Sequence, residues 1–173
     1  KVLLRVDFDV PVSSEGQIEE SFRIKKQKET LDYLVLHGAH VIMVAHISDK
    51  SVNQSFAELI PQLHILLGHE INFIKTVSEI GTYLEHYAGP ALLENIRQNE
   101  GEEKNDSEFA KQLAQSFDLY VNNAFAVCHR NHASLMVAGL LPSGAGILLE
   151  KEVSVLSRLR DNPQKPLVVI LGG

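Results

Sequence analysis

Cysteine, tryptophan and blocks of basic residues are scarce or missing in this sequence, and each absence argues against a class of protein. The single cysteine, Cys128, allows no internal disulfide, which is typical of a reducing compartment. The net charge of −6, without a run of lysines or arginines, argues against a surface for nucleic acid or an anionic membrane. No apolar run approaches the roughly 18–20 residues that span a bilayer. A signal-peptide pattern is also missing. Because of the net charge and the lack of a long apolar run, we expect neither a nucleic-acid nor a membrane partner.

The chain is long and apolar enough to bury a full hydrophobic core. It has 173 residues, of which 45% are hydrophobic, as in ordinary globular domains. This length predicts one domain, with at most a short additional segment. The first residues already belong to a predicted strand, so we expect the N-terminus to be truncated.

Strand-like and helix-like segments alternate along the chain. Short aliphatic runs predict strands at 2–8, 40–46, 71–75, 90–95, 118–125 and 167–173. The stretches between them predict helices at 22–37, 56–68, 77–87, 106–116 and 146–161, with Gly38 capping the first. Ser55 and Glu58 have the spacing of a capping box, and Pro61 is either tolerated in that helix or marks a later start. The alternation predicts an α/β fold whose mostly parallel, six-stranded sheet carries helices on both faces.

Cationic side chains follow several of the predicted strands. His46 ends the second strand, Arg97 follows the fourth, Arg130 follows the fifth, and Arg23 lies near the start of the first helix. In an alternating β/α chain the ends of the strands open onto one edge of the sheet, where ligands bind. Arginine binds carboxylate and phosphate through two parallel hydrogen bonds. The sequence therefore predicts a site for a small, multiply charged anion.

The first strand carries an unusual row of charges. Strand periodicity places Arg5, Asp7 and Asp9 on one face and the intervening apolar residues on the other. A strand in a doubly covered parallel sheet is normally apolar on both faces, so these charges need partners. An ion pair between Arg5 and Asp7 is one interpretation. It is compatible with Asp7 or Asp9 also contacting a substrate at the end of the strand.

Other motifs predict less. Cys128, His129 and His132 include the H-x-x-H spacing of zinc ligands, but no second ligand pair accompanies them, which favours a structural role. The acidic run 100–106 predicts a solvated loop and helix N-terminus. Residues 144–149, GAGILL, are a poor match to a dinucleotide fingerprint and are not expected to follow a strand. A P-loop sequence is missing, so nucleotide chemistry would need residues from elsewhere.

Eight segments occur in the order found in phosphoglycerate kinases. They are RVDFDVP (5–11), Arg23 with Ile24, AHIS (45–48), LLENIR (92–97), GEEKND (101–106), YVNNAF (120–125), HRNHAS (129–134) and VILGG (169–173). Each segment alone is weak, but their common order and spacing over nearly the whole chain are specific. The chain thus resembles the N-terminal, substrate-binding half of this family.

The resemblance implies a domain organisation and an activity. It implies a Rossmann-like αβα substrate-binding domain at 1–145, an interdomain hinge helix at 146–162, and at 163–173 the first strand of an absent nucleotide-binding domain. The parent would be a cytoplasmic, monomeric enzyme of glycolysis that moves a phosphoryl group between 1,3-bisphosphoglycerate and ADP, giving 3-phosphoglycerate and ATP. Mg-ATP or Mg-ADP would bind the absent domain, whereas this part would hold no cofactor or metal and would be inactive alone.

The resemblance also assigns roles to residues, position by position. The basic patch of the family falls on Arg23, His46, Arg97 and Arg130, and Arg23 would stabilise the transferring phosphoryl group. The remaining matches are Asp7 and Asp9 for the hydroxyl and carboxylate end of the acid, Phe8, Ile47, Ser48 and Asp49 for further substrate contacts, and Gly172 and Gly173 for the start of the nucleotide site.

Some positions depart from the family patterns. RVDFNVP has asparagine in place of Asp9, SHLGR ends in glycine and arginine in place of Ser48 and Asp49, and NDAFG has aspartate in place of Asn123. A misplaced carboxylate about 4 Å from a phosphate costs up to about 4 kcal/mol at an effective dielectric near 20. Lys50 could replace the lost arginine, or Asp49 could face solvent. The departures leave two alternatives open, a non-catalytic binding or regulatory relative and a kinase for a different carboxylic acid.

Overall fold

The computed structural model describes residues 1–49 and 54–170. Within these residues the strands are β1 Val2–Arg5, β2 Val41–Val44, β3 Asn72–Ile74, β4 Ala91–Leu93, β5 Leu119–Asn122 and β6 Ser143–Ala145. The α-helices are α1 Phe22–Leu36, α2 Ile60–Leu67, α3 Ile80–His86, α4 Glu100–Glu103, α5 Ser107–Ala114, α6 Ala133–Met136 and α7 Ile147–Asp161. None of the helices in these two ranges combines the length and the apolar character that a membrane crossing requires.

All neighbouring strands of the sheet run parallel, in the order β3-β4-β2-β1-β5-β6. β1 is central, because it pairs with β2 on one side and with β5 on the other. The carboxyl ends of β4, β2, β1 and β5 therefore lie side by side at one edge. The predicted α/β fold with a parallel sheet is confirmed, and this edge is where the predicted cations should meet.

Alternation along the strands builds a separate core on each face of the sheet. Val2 and Leu4 of β1 pack with the cluster that includes Leu31 of α1 and Leu63 of α2. Leu3, between them, packs on the opposite face with residues of α3 and α5. Burial on both faces explains why the strands read as continuous aliphatic runs rather than as alternating patterns.

The helix ends follow local sequence signals at several positions. Gly38 closes α1 with a positive φ of 75°, a conformation that favours glycine. The side chain of Asp106 accepts a hydrogen bond from the Phe109 N–H at 2.8 Å and so caps α5. Pro61 is the second residue of α2, which confirms the later start. Ser55 precedes the 3-10 turn Ala57–Leu59 that leads into α2, and its hydroxyl accepts a hydrogen bond from the Ala57 N–H at 3.1 Å while donating to Glu94 Oε2 at 2.5 Å. The reciprocal contact from Glu58 stays a prediction.

The sixth strand lies elsewhere than the aliphatic run 167–173 predicts. Ser143–Ala145 pairs with β5 in parallel and continues through Gly146 directly into α7. Residues 144–149 therefore begin inside β6 and continue into α7, where the sequence predicted no strand. The described part of the run, 167–170, has no strand pairing and is exposed. An aliphatic segment forms a strand only where the edge of a sheet pairs with it. The assignment of 163–173 to another domain stays a prediction.

Candidate anion-binding site

Turns at the carboxyl edge of the sheet carry the predicted cations. Arg23 lies in the first turn of α1, His46 follows β2, Arg97 lies in the 3-10 turn Ile96–Gln98 after β4, and Arg130 follows the turn Phe125–Val127 after β5. Because β4, β2, β1 and β5 are adjacent, four separate loops bring these side chains to one edge. The tertiary structure thus places the predicted set together.

A buried arginine holds the histidine of this site. The guanidinium of Arg5, only 1% exposed, donates to the carbonyls of Val6 and Val44 at 2.9 and 3.0 Å and contacts His46 Nδ1 at 3.1 Å. Burial lowers the pKa of both Arg5 and His46. Among the described residues Arg5 makes no ion pair with Asp7, so that interpretation was wrong; the guanidinium orients His46 instead.

Arg97 and Arg130 lie at the end of the site that includes His132. Burial lowers the pKa of Arg5, His46 and His132, and the charge of Arg97 lowers each of them further. Arg130 lowers the pKa of His132 in the same way. Carboxylates act in the opposite direction, since Glu102 raises the pKa of Arg5 and His132 and Asp9 raises that of His46. Arg97 is 15% exposed and has Glu103 Oε1 3.3 Å from its Nε. Both arginines thus act on His132, together with the carboxylates of Glu102 and Glu103, and their guanidinium groups are the donors that a phosphate-sized anion would use at this end.

Arg23 and Asp7 line a cleft at the other end of the site. Arg23 is 51% exposed, donates to the carbonyl of Asp9 at 3.1 Å, and has Asp7 Oδ2 3.7 Å from its Nη1. The cleft has a volume of about 410 Å³, and Lys26 and Glu152 add one charge of each sign to its lining. It extends to α7 and so links the candidate site to that helix.

Asp9 does not project freely toward a ligand. Its Oδ1 accepts hydrogen bonds from the backbone N–H and the hydroxyl of Ser48, both at 2.8 Å, and its Oδ2 lies 3.4 Å from His46 Nε2. Burial alone would raise the pKa of Asp9, but the hydrogen bonds from His46 and Ser48 outweigh it and hold the pKa well below its ordinary value. The carboxylate is thus ionised and already bound by groups of this chain.

The other predicted contacts fall into three groups. Phe8 and Ile47 are core residues, 1% and 0% exposed, so only their backbone atoms could contribute to a ligand site. Ser48 and Asp49 are exposed, in agreement with the expectation that Asp49 can face solvent. Lys50, Gly172 and Gly173 lie outside the described residues.

Three residues that position the site were not singled out in the sequence. Asn95, fully buried, donates from Nδ2 to the carbonyls of Ile47 and Gln54 and accepts from the Arg97 N–H, which ties the loop after β2 to Arg97. Asn123 connects α1 with α7. Glu102 is 0% exposed and accepts from Ser134, so the solvated acidic run was wrong at this position. Asn95 stood within the quoted LLENIR segment, and Asn123 was noted only as a departure.

Metal binding has no support from the described ranges. Residues 1–49 and 54–170 contain no group of three or more histidine, cysteine, aspartate or glutamate side chains placed to hold a metal ion. His132 instead faces Glu102, with 3.7 Å from its Nδ1 to Oε1. This arrangement agrees with the structural role favoured for His132.

The fold and the site define an open α/β protein that collects cations at the carboxyl ends of parallel strands. The phosphoglycerate kinase family model matches residues 1–173, the whole chain. The chain belongs to the phosphoglycerate kinase family.

Individual relatives agree with this assignment. Phosphoglycerate kinase of Coprothermobacter proteolyticus is 41% identical over all of this chain and 46% of that protein, and the cytosolic enzyme of Nicotiana tabacum is 40% identical over 100% and 45%. Solved structures are similar as well. The phosphoglycerate kinase of Pyrococcus horikoshii matches with a TM-score of 0.85 at 30% identity, over 95% of this chain and 44% of that one. The Coxiella burnetii enzyme matches with a TM-score of 0.82 at 34% identity, over 99% and 45%. The chain thus spans about half the length of the relatives that it matches.

Proposed function

We propose that this chain is the substrate-binding part of a phosphoglycerate kinase and that it binds 3-phosphoglycerate or 1,3-bisphosphoglycerate. The observation that carries the proposal is the convergence of Arg23, His46, Arg97 and Arg130 at one edge of the sheet. Ligands of open α/β sheets bind in the crevice at the carboxyl ends of the strands. Membership of the family supplies the class of substrate.

The two ends of the site suit the two ends of the substrate. Arg97 and Arg130, which both act on His132, would hold the phosphate group as charged hydrogen-bond donors. Asp7 and Arg23 would face the hydroxyl and carboxyl end. The backbone of residues 8 and 47, together with Ser48, would complete the contact surface.

Arg23 is the residue that we assign to the transferring phosphoryl group. Phosphoryl transfer depends mainly on positioning and on neutralising charge in the transition state. Arg23 is half exposed, and the 3.7 Å separation from Asp7 Oδ2 is a long contact that costs little to break. Its guanidinium can therefore turn toward a phosphoryl group that enters the cleft.

The nucleotide would come from the remainder of the parent enzyme. Mg-ADP or Mg-ATP would supply the second substrate, and Gly172 and Gly173 would begin its site. The parent would act in glycolysis as a cytoplasmic monomer, and the tobacco relative is named cytosolic. We expect this chain alone to bind substrate without catalysing transfer.

Calorimetric titration with 3-phosphoglycerate tests the proposal. We expect micromolar to millimolar affinity and a loss of about tenfold to a hundredfold in Arg23→Ala and in Arg97→Ala, because a charged hydrogen bond contributes roughly 1.5–3 kcal/mol. Arg160→Ala is the matched control, since Arg160 is exposed on α7 and pairs with the adjacent Asp161. Binding that neither site substitution weakens would contradict the proposed site.

A coupled assay tests the expectation of inactivity. The chain incubated with Mg-ATP and 3-phosphoglycerate should form no ADP above the background rate. Phosphoryl transfer by the chain alone would overturn the assignment of nucleotide chemistry to the remainder of the enzyme.

A further inference from the structure

Glu102 is a fully buried carboxylate between the segments that carry Arg97 and Arg130. Its Oε2 accepts a hydrogen bond from the Ser134 N–H at 2.9 Å, and its Oε1 accepts from the Ser134 hydroxyl at 2.7 Å. That N–H lies in the first turn of α6, where no carbonyl of the helix accepts it. A buried carboxylate loses its hydration, so hydrogen bonds must replace the water. The contact therefore joins α4 to the start of α6, across 32 positions of sequence.

α4 directly continues the turn that carries Arg97. The Glu102 N–H donates to the carbonyl of Asn99 at 3.0 Å, and the Asn99 N–H donates to that of Ile96 at 3.1 Å. Glu103, the next residue of α4, has its Oε1 3.3 Å from Arg97 Nε. One short segment thus contacts Arg97 at one end and α6 at the other.

The position of Arg130 depends on the start of α6. Arg130 lies four residues before Ser134, and its N–H donates to the carbonyl of Val127 at 2.9 Å. Within residues 1–49 and 54–170, no ion pair or hydrogen bond holds its guanidinium. The backbone between Val127 and Ser134 therefore decides where this exposed arginine lies.

Charges of both signs surround this end of the site. The charged neighbours of His132 are two arginines and two glutamates, namely Arg97, Arg130, Glu102 and Glu103. Glu102 is also close to His132, with 3.7 Å between Oε1 and Nδ1. Because these four charges sum to zero, net charge alone gives an anion little attraction here. Binding then depends on whether the guanidinium donors are held in the right place.

From these contacts we propose that Glu102 is a positioning residue for the substrate phosphate, because through Ser134 it fixes the segment that carries Arg130 relative to Arg97. A fully buried carboxylate does not reach the ligand, so Glu102 acts only through the arginine. The inference rests on the proposed function, since it takes the phosphate group to bind Arg97 and Arg130.

Two substitutions of Glu102 that change its charge equally separate position from charge. Glu102→Gln keeps an acceptor for the Ser134 N–H, and its amide can donate to the Ser134 hydroxyl, which accepts as well as donates. Glu102→Ala removes both contacts. In calorimetric titration with 3-phosphoglycerate the dissociation constant should rise about tenfold in Glu102→Ala and stay within about twofold in Glu102→Gln. Charge alone predicts the opposite, because losing a nearby negative charge would strengthen anion binding in both variants.

Asp106→Ala is the matched control. The Asp106 carboxylate also accepts from an N–H at the start of a helix, that of Phe109 at 2.8 Å, but this helix is α5 and does not carry Arg130. The substitution makes the same change in net charge and removes a similar contact, so the affinity should equal that of the unmodified chain. Both Glu102 variants also lose the charge that raises the pKa of Arg5, so this loss cancels between them. Urea unfolding shows that each variant is folded during titration.

A double-mutant cycle tests whether Glu102 acts through Arg130. Added to Arg130→Ala, Glu102→Ala should raise the dissociation constant no further, whereas general damage to the fold would weaken binding in both backgrounds. Ser134→Ala, which removes only the hydroxyl contact, replaces Glu102→Ala in the cycle if that variant does not fold, with a smaller expected loss.

The outcomes are distinguishable. Unchanged affinity in Glu102→Ala, an equal loss in Glu102→Gln, or a loss that persists without Arg130 overturns the inference and leaves the proposed function in place. If the folded, unmodified chain does not bind 3-phosphoglycerate, the proposed function fails and this inference fails with it.

Discussion

At the scale of the residue, Arg5 shows how a buried charge orients a functional side chain. Its guanidinium is almost fully buried and directs its donors to two backbone carbonyls and to His46 Nδ1. Removing such a residue leaves buried acceptors without a hydrogen-bond partner, and each of them then costs the fold its full desolvation penalty. Arg5 therefore acts through His46, as a positioning residue.

The tautomer of His46 is the prediction that follows from this contact. We expect a neutral ring at pH 7 with the proton on Nε2, because Arg5 occupies Nδ1 and burial lowers the pKa of His46. Long-range ¹H–¹⁵N spectra distinguish the two tautomers. His37 and His86 serve as internal contrasts, since their Nδ1 atoms face backbone carbonyls at 2.7 and 2.9 Å and should carry the proton when neutral. A proton on Nδ1 of His46 would contradict the arrangement.

At the scale of the element, Asn123 joins three parts of the fold. It follows β5, donates from Nδ2 to Gln27 Oε1 of α1 at 2.8 Å, and accepts from the Leu148 and Leu149 N–H groups of α7 at 3.0 and 3.4 Å. Gly146 must be glycine here, because a Cβ at that position would collide with the Asn123 side chain. The β6–α7 junction thus depends on one buried amide.

Substitution of Asn123 should destabilise the fold according to the group that is lost. Asn123→Ala removes both the donor and the acceptor of a buried amide and should lower the free energy of unfolding by about 1–3 kcal/mol. Asn123→Asp keeps the acceptor and places a negative charge at a helix N-terminus, so it should lose less. Urea unfolding measures both, with the exposed Asn162→Ala as control. An aspartate variant less stable than the alanine variant would refute this account.

At the scale of the whole molecule, buried ionisable groups make the stability depend on pH. Burial lowers the pKa of His46 and His132, and hydrogen bonds lower that of Asp9 despite its burial. For each group the unfolded chain binds more protons than the folded chain between the two pKa values. Stability must then fall as pH decreases, first below the ordinary histidine pKa of about 6.5 and again below the ordinary aspartate pKa of about 3.9.

A histidine substitution should make the first part of this fall shallower. In His132→Gln the free energy of unfolding should decrease less between pH 7 and pH 5 than in the unmodified chain. One histidine contributes at most about 1.4 kcal/mol per pH unit to the slope. Urea titrations at several pH values measure the effect. An identical slope in the variant and the unmodified chain would contradict the assignment.

Local sequence by itself determined most of the elements and predicted the cations of the candidate site. Aliphatic runs of strand length, Gly38 after a helix and Asp106 before one act over a few residues, so their effect can be read without the fold. Arg97 and Arg130 could be assigned to one edge because every parallel strand ends there.

Only the tertiary structure decided the strand order, the sixth strand and the partners of the buried charges. Ser143–Ala145 has little strand propensity and becomes β6 because β5 offers it an edge. Asp9 meets Ser48 across 39 positions of sequence, and Asn123 meets Gln27 across 96. Such contacts depend on which strands are neighbours in the sheet. A local sequence pattern does not predict the strand order, because that order depends on the packing of the whole chain.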